Sequence, residues 1–230
     1  MNNNQIINQQ VSHYDDYLKI KNNPRYKKVW KFLKFNTSKG KLLDIGCTNG
    51  DFSEPLVKNG YDCYGLEYVN KAIKESTEKG IKVIKGSFLE KFPFEDEFFD
   101  VVFAGEVIEH TIDDKFFLEE IFRVLKKDGL LILTTPNLVS FGNRFLMVLG
   151  KMPRFAYNEF HYRFYNKRIV IRKIEDSGFK VVKFSSNYVL ISTFFNKFIG
   201  YIGELSGSLL PSFGENFIAY ARKNNEKINK

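Results

Sequence analysis

The chain has 230 residues, of which 43% are hydrophobic and 27% charged, a composition typical of one globular domain and not of a disordered chain. Cys47 and Cys63 are too few for a disulfide framework, and free thiols favour a reducing, cytoplasmic location. The sequence has no signal-peptide pattern and no run of about 20 apolar residues, so we expect neither secretion nor a transmembrane helix. The net charge of +8 permits anionic partners, but the lysines alternate with acids, which predicts a solvated surface.

Helix and strand patterns alternate through most of the chain. In chain order we predict a helix over 26–35, a strand over 41–46, a helix over 51–58, a strand over 62–68, a helix over 71–78, a strand over 82–86, a strand over 98–104, a helix over 114–125, a strand over 130–134, a helix over 167–176 and a strand over 180–184. The strands are apolar runs, which indicates a mostly parallel sheet covered on both faces. Ligands bind such sheets beyond the carboxyl ends of the strands.

The first predicted strand ends in a glycine-containing turn. Gly46 allows a tight turn, and Gly50 lets the backbone approach a ligand closely. Thr48 stands where a dinucleotide fingerprint requires glycine, so that fingerprint is missing. Asp44 precedes the turn, where a carboxylate suits a cationic ligand better than a pyrophosphate.

Polar residues also follow the next two strands. Glu67 lies about 20 residues past the glycine turn, where a carboxylate can accept hydrogen bonds from both ribose hydroxyls of an adenosine. Ser87 and Phe88 follow the third strand, and we expect them to hydrogen-bond and pack against an adenine.

These residues carry a family resemblance that covers about residues 40–185. The pattern Asp44-x-Gly46-x-x-x-Gly50 resembles the first motif of class I S-adenosylmethionine-dependent methyltransferases, and Glu67 matches their ribose-binding acid. Residues 92–102 resemble the run into their fourth strand. Residues 125–132 resemble their Leu-Lys-Pro-Gly-Gly turn, with Lys-Asp in place of Pro-Gly. A domain that has lost its cofactor, or that binds a nucleotide, is the alternative.

The resemblance implies a doubly wound, Rossmann-like α/β fold with helices on both faces. Its sheet would have seven strands, the last of them antiparallel, and residues 216–221 are the candidate for that strand. S-adenosylmethionine would be the methyl donor. The residues predicted to bind it are Asp44, Gly46, Cys47, Gly50, Glu67, Ser87, Phe88 and Glu106.

The fourth strand leads into an acid–histidine cluster. On a helical turn Glu106, Glu109 and His110 face one side. We predict His110 as the general base that removes the proton of a hydroxyl acceptor. His161, which follows a long connection, is the second catalytic candidate. The alternative is that Glu109 and His110 cap a helix and brace the cofactor loop.

The same run resembles metal-assisted O-methyltransferases of the ubiquinone-pathway and small-RNA types, in which acids and histidines bind a divalent ion. Carried over, the ligands would be Glu106, Glu109, His110 and His161. Relatives without a metal also keep Glu-His at this place, so a divalent metal is left open and no metal site is assigned.

We expect one domain over 1–230, made of a helical extension (1–39), a cofactor-binding core (40–185) with an insertion at about 138–165, and an apolar connection, last strand and basic tail (186–230). Residues 1–10 and 223–230 resemble frayed tails, and His13 is interpreted as a surface residue. The apolar residues of 189–215 have helical spacing, which fits a packed helix, a dimer face, or an interfacial helix that contacts a lipid-linked substrate.

The leading functional prediction is O-methylation of a small-molecule, sugar or lipid-linked acceptor. The Thr-Pro-Asn and His-x-Arg-Phe elements are similar to those of methyltransferases of glycan pathways. An RNA 2′-O-methyltransferase is the first alternative, but no appended RNA-binding module or dense basic patch supports it, so nucleic acid is not the expected partner. An inactive cofactor-binding scaffold is the second. Contact with a membrane surface and homodimer formation both stay open.

Overall fold

The computed structural model describes residues 24–187 and 209–224. The helices are α1 (Pro24–Asn36), α2 (Glu54–Lys58), α3 (Asn70–Glu78), α4 (Asp114–Val124), α5 (Phe141–Val148) and α6 (Lys167–Asp176). The strands are β1 (Lys41–Ile45), β2 (Asp62–Glu67), β3 (Lys82–Lys85), β4 (Phe99–Gly105), β5 (Leu125–Pro136), β6 (Phe179–Ser186) and β7 (Asn216–Lys223). Short 3₁₀ turns span Ile108–His110, Arg154–Tyr157 and Pro211–Phe213. The predictions for His13, for the tails at 1–10 and 225–230, and for most of the 189–215 connection lie outside the described residues.

The strands form one seven-stranded sheet in the order β3-β2-β1-β4-β5-β7-β6. Neighbours from β3 to β5 pair in parallel, whereas β7 pairs antiparallel with both β5 and β6. This topology confirms the predicted Rossmann-like sheet with an antiparallel last strand. The order reverses between β1 and β4, which places the switch point of the sheet at their carboxyl ends.

Alternation along the central strands sends side chains into two separate cores. Leu43 and Leu131 pack with α4 and α6, whereas their neighbours Leu42 and Leu130 pack with α1 and α2. All four side chains are fully buried. Because successive residues of a strand point to opposite faces, an unbroken apolar run is what a sheet covered on both faces requires.

The junction of α4 and β5 differs from the sequence prediction. The helix predicted over 114–125 ends at Val124, and the strand predicted over 130–134 begins at Leu125, which pairs with Phe99. Asp128 adopts a left-handed φ of 57°, and the register between the two strands shifts there. The chain therefore passes directly from helix to strand. Asp113 is the N-cap of α4 and accepts the Phe116 N–H at 2.9 Å.

One helix was not predicted from the sequence: the 138–157 connection contains α5, capped by the Ser140 side chain. One further prediction about local structure was wrong. Lys223 was grouped with a frayed tail, but it ends β7, is 7% exposed and donates to the carbonyl of Leu125 at 2.7 Å. None of the helices within residues 24–187 and 209–224 combines the length and apolar content that a bilayer-spanning helix requires.

Candidate active site

A cavity of about 290 Å³ opens at the carboxyl ends of the central strands. Its wall contains Gly46 after β1, Glu67 at the end of β2, Gly105 at the end of β4 and Pro136 at the end of β5. Helix α1, the 3₁₀ turn after β4 and the segment after α5 complete the wall. The cavity therefore occupies the switch point, where open α/β sheets bind their ligands.

Most of the sequence-predicted site residues line the cavity. Of the predicted cofactor residues, Gly46, Glu67, Ser87, Phe88 and Glu106 line it, and so do both predicted catalytic histidines. Asp44 in β1 and Cys47 and Gly50 in the loop that follows are buried and are not among the lining residues.

The loop after β1 is held open by left-handed backbone at Gly46, Thr48 and Gly50, with φ of 65°, 45° and 80°. The Gly46 N–H donates to the carbonyl of Leu66 at 2.8 Å, and the Thr48 N–H donates to Oε2 of Glu67 at 3.0 Å. A threonine with a left-handed backbone is strained. The two hydrogen bonds to the end of β2 hold the loop in this conformation despite the strain.

Gly50 is required for packing within the protein. A Cβ built on Gly50 would lie 2.5 Å from Cδ1 of Ile81 and 3.0 Å from Cβ of Ser76. The glycine therefore permits close packing against α3 and the residue before β3, and its predicted contact with the cofactor stays a prediction.

Asp44 is buried at the end of β1 and is 3% exposed. Its Oδ2 accepts the Ser53 hydroxyl at 2.8 Å. Burial raises the pKa of this carboxyl to about 7, against an ordinary value of 3.8. Cys47 is buried beside Gly65, and burial raises the pKa of its thiol, so the thiol is protonated and unreactive at neutral pH.

Glu67 is a fixed acceptor at the end of β2. Its Oε1 accepts the backbone N–H groups of Tyr68 and Val69 at 2.7 and 2.9 Å, and its Oε2 accepts that of Thr48. Burial raises its pKa, and the three N–H donors oppose that effect. A carboxylate has about four acceptor positions, so this side chain can accept one further hydrogen bond from a hydroxyl group in the cavity.

Glu106 joins three distant parts of the chain. It has a left-handed φ of 57° immediately after β4. Its Oε1 accepts the Thr134 hydroxyl at 2.9 Å, and its Oε2 accepts the Asn216 amide at 2.7 Å and forms an ion pair with Arg25. Both carboxylate oxygens are therefore held by side chains of α1, β5 and β7.

A second cluster contains Glu109, His110 and His161. Glu109 is 1% exposed; its Oε2 accepts the Thr135 hydroxyl at 3.1 Å, and its Oε1 has no hydrogen-bond partner in the structure as described. The two imidazole ring centroids are 4.9 Å apart. One ligand atom from each of the three side chains lies within 4.8 Å of the others.

Hydrogen bonds fix the tautomers of both histidines. Nδ1 of His110 lies 2.9 Å from the carbonyl oxygen of Phe160, so Nδ1 carries the proton and Nε2 is the basic nitrogen. His161 donates from Nδ1 to the carbonyl of Phe155, and its Nε2 accepts from the Asn158 amide, each at 3.2 Å. Burial lowers the pKa of His110 to about 4 and also lowers that of His161, while it raises the pKa of Glu109.

The second cluster fits a divalent cation. It offers one carboxylate oxygen and two imidazole nitrogens, a donor set that suits a transition metal better than Mg²⁺. A buried carboxylate oxygen without a partner is costly, and a cation would satisfy Oε1 of Glu109. Glu106 does not belong to this donor set, because Arg25, Thr134 and Asn216 already occupy its oxygens.

Sequence reasoning missed Arg25, Asn216 and Phe155. Arg25 and Phe155 line the cavity, and Asn216 holds Glu106. The signal for Arg25 was available but ambiguous, since it is a charged residue next to the apolar face of a predicted helix. Nothing local connects Asn216 or Phe155 with the glutamates, because 110 residues separate Asn216 from Glu106.

Comparison with known proteins agrees with the geometry. A family model described as a methyltransferase domain matches residues 43–133. The bovine mitochondrial ubiquinone biosynthesis O-methyltransferase is 38% identical over 106 residues, which are 42% of this chain and 29% of the bovine protein. The chain therefore aligns with less than a third of that relative.

Two longer matches cover most of the chain. An uncharacterized protein of Methanocaldococcus jannaschii is 31% identical over 182 residues, 77% of this chain and 82% of that protein. A crystal structure from Thermotoga maritima, described as an S-adenosylmethionine-dependent methyltransferase and possible histamine N-methyltransferase, superposes with a TM-score of 0.68 at 20% identity. The alignment covers 96% of this chain and 99% of the Thermotoga maritima chain.

Proposed function

This chain belongs to the class I S-adenosylmethionine-dependent methyltransferase superfamily, and we propose that it methylates a hydroxyl oxygen of a small-molecule, sugar or lipid-linked acceptor. The observation that carries the proposal is the orientation of His110. Its Nδ1 donates to the carbonyl of Phe160, so Nε2 is the basic nitrogen of the ring. His110 is also one of the residues that line the cavity.

In this proposal the walls around Gly46 and Glu67 bind the methyl donor. Glu67 accepts a hydrogen bond from a ribose hydroxyl, because three backbone N–H groups fix its carboxylate and leave one of its about four acceptor positions. Ser87 and Phe88 contact the adenine. Glu106 lines the same cavity, but Arg25 balances its charge, so its role in this proposal is to hold the cavity wall in place. S-adenosylmethionine itself supplies a methyl group that is already activated on a sulfonium, so the protein needs mainly to position the acceptor and exclude water.

The proton of the acceptor is the remaining requirement. A hydroxyl must lose its proton as oxygen attacks carbon, and Nε2 of His110 receives it while Nδ1–H stays on Phe160. Burial lowers the pKa of His110 to about 4, so the ring is neutral at physiological pH and Nε2 keeps its lone pair. A pKa this low also makes it a weaker base than an ordinary histidine, and the proton must pass to it as the new bond to oxygen forms. His161 is engaged through both ring nitrogens, so we assign it a positioning role beside His110.

A divalent cation is the alternative to proton transfer by His110. Glu109, His110 and His161 would hold the ion, and it would polarise an acceptor oxygen as a Lewis acid. Nε2 of His110 would then be a ligand and not the base, and Nε2 of His161 would have to release the Asn158 amide. Activity should therefore be measured with and without a chelator and with added Mg²⁺, Mn²⁺ or Zn²⁺.

The test compares the wild type with His110→Asn on hydroxyl-bearing acceptors (catechols, sugars and lipid-linked glycans) and on amines. S-adenosylhomocysteine formation gives the rate, and NMR of a ¹³C-labelled methyl group identifies the methylated atom. We expect the wild type to form O-methyl products. The turnover of the variant should fall by a factor of about 10²–10⁴, with the cofactor Kd unchanged. Val182→Thr, exposed on β6, is the matched control. Methyl transfer to nitrogen, or full turnover by the variant, would contradict the proposal.

A further inference from the structure

Helix α5 is oriented against the usual pattern of a surface helix. Its buried positions are Gly142 and Asn143, whereas Phe141, Phe145 and Val148 are 46%, 59% and 83% exposed. These three positions follow the four-and-three spacing of one helix face. A surface helix normally buries its apolar face and exposes the polar one, so a partner is expected for the exposed side.

Polar contacts hold α5 in this orientation. The Asn143 side chain donates to the carbonyl of Asn137 at 3.1 Å and accepts the Arg154 N–H at 3.1 Å. The Ser140 hydroxyl accepts the Asn143 N–H at 3.3 Å. Because a buried asparagine keeps its bonds only in this pose, the apolar face stays turned outward.

The apolar surface continues past the helix. Met147 in α5 is 41% exposed, and Leu149 and Met152 beyond it are 54% and 56% exposed. Together with Phe141, Phe145 and Val148 they form what we name the α5 patch. Single exposed apolar residues are ordinary, but six within twelve consecutive residues indicate an interaction surface.

Basic side chains predominate around the α5 patch. Residues 138–158 contain Arg144, Lys151 and Arg154 and no aspartate or glutamate, and the first acid after them is Glu159. All three basic residues are exposed. Arg154 also pairs with Glu215 at 3.3 Å, and the Arg144 guanidinium lies 4.7 Å from the ring centre of Phe213. Exposed apolar side chains among basic ones are typical of a surface that binds anionic lipid.

We propose that the α5 patch docks this protein on an anionic lipid bilayer. Phe141, Phe145 and Val148 insert at the boundary of headgroups and acyl chains, and Lys151 and Arg144 contact the lipid phosphates. A protein partner with an acidic surface would satisfy the charges but would not need an apolar face of this kind.

Docking through this patch also sets the position of the cavity. The backbone of Arg154 is bonded to α5 through Asn143, and the next residue, Phe155, lines the cavity. The side of the cavity formed by Phe155 therefore lies close to the bilayer. The docking inference does not depend on which acceptor is methylated, since its test measures membrane binding alone.

The experiment is co-sedimentation of the full chain with phosphatidylcholine vesicles, with and without phosphatidylglycerol, at low and high salt. The variant Phe145→Glu/Val148→Glu is compared with Phe35→Glu/Val182→Glu, which introduces the same charges at exposed apolar positions (71% and 50%) on α1 and β6. Val148→Ser is the milder second variant. The melting temperature and cofactor affinity of each variant report on folding.

We expect binding to the anionic vesicles that weakens with salt, at least a tenfold loss of binding for Phe145→Glu/Val148→Glu, a smaller loss for Val148→Ser, and wild-type binding for the control pair. Equal binding by the patch variant and the control would assign the contact elsewhere and overturn the proposal. Absence of vesicle binding would also overturn it. So would sedimentation velocity that shows the wild type as a dimer and Phe145→Glu/Val148→Glu as a monomer.

Discussion

Replacing Asp44 with asparagine should make the unliganded protein more stable at alkaline pH while weakening cofactor binding. Asp44 is buried, accepts the Ser53 hydroxyl, and has a pKa raised to about 7 by burial. Asparagine has the same shape and can accept the same hydroxyl through its Oδ1. The substitution therefore removes mainly the charge and leaves the packing in place.

The magnitude follows from proton linkage. In the unfolded chain the Asp44 carboxyl has its ordinary pKa of 3.8, and in the folded protein about 7. The proton that the folded state retains stabilises it fully below pH 3.8, and this contribution is lost as the pH rises through 7. A difference of about three pKa units at about 1.4 kcal/mol each sets an upper limit of about 4 kcal/mol on the change.

The assay is urea unfolding of the unliganded wild type and Asp44→Asn between pH 4 and pH 8, followed by circular dichroism. We expect the stability of the variant relative to the wild type to rise steadily over this range and to level off above pH 7. Asp128→Asn, on an exposed turn with a φ that asparagine tolerates, is the matched control and should show no such rise. A stability difference for Asp44→Asn that stays constant from pH 4 to pH 8 would refute the reasoning. Calorimetric titration with S-adenosylmethionine should show weaker binding by the variant.

Two other substitutions test the remaining carboxylates of the site. Glu67→Gln should weaken S-adenosylmethionine binding by about 10- to 100-fold in calorimetry, because an amide replaces an ionised acceptor, and unchanged affinity would remove Glu67 from the proposed cofactor site. Arg25→Leu should lower the free energy of unfolding by about 3–5 kcal/mol, because it leaves the Glu106 carboxylate without its cation. Adding Glu106→Gln should restore part of that loss in denaturant unfolding, whereas additive effects of the two substitutions would show that they are not coupled.

The fold class was predictable because it depends on short-range patterns. The unbroken apolar strands over 41–46 and 98–104, separated by amphipathic helices, indicated a parallel sheet covered on both faces. The same patterns misplaced the start of β5 at residue 130. Leu125 is extended because it pairs with Phe99. Helix propensity depends on local sequence only and therefore does not include that contact.

Helix α5 shows what apolar spacing alone does not decide. Its apolar residues have helical spacing but face outward, since the buried Asn143 side chain is hydrogen-bonded to Asn137 and Arg154. Lys223 was assigned to a tail because of its neighbours in the sequence, but it is buried because β7 lies between β5 and β6. Both features arise from contacts across the sheet and its connections.

The sequence by itself determined the order of strands and helices, the loop after β1 and the chemical types of the site residues. Only the tertiary structure decided which of them meet. His110 lies beside His161 across 51 residues, and Glu106 is held by Arg25 and Asn216 from opposite ends of the domain. The physical reason is that local patterns record which face of an element is buried, whereas pairing across the sheet is set by the packing of all the elements together.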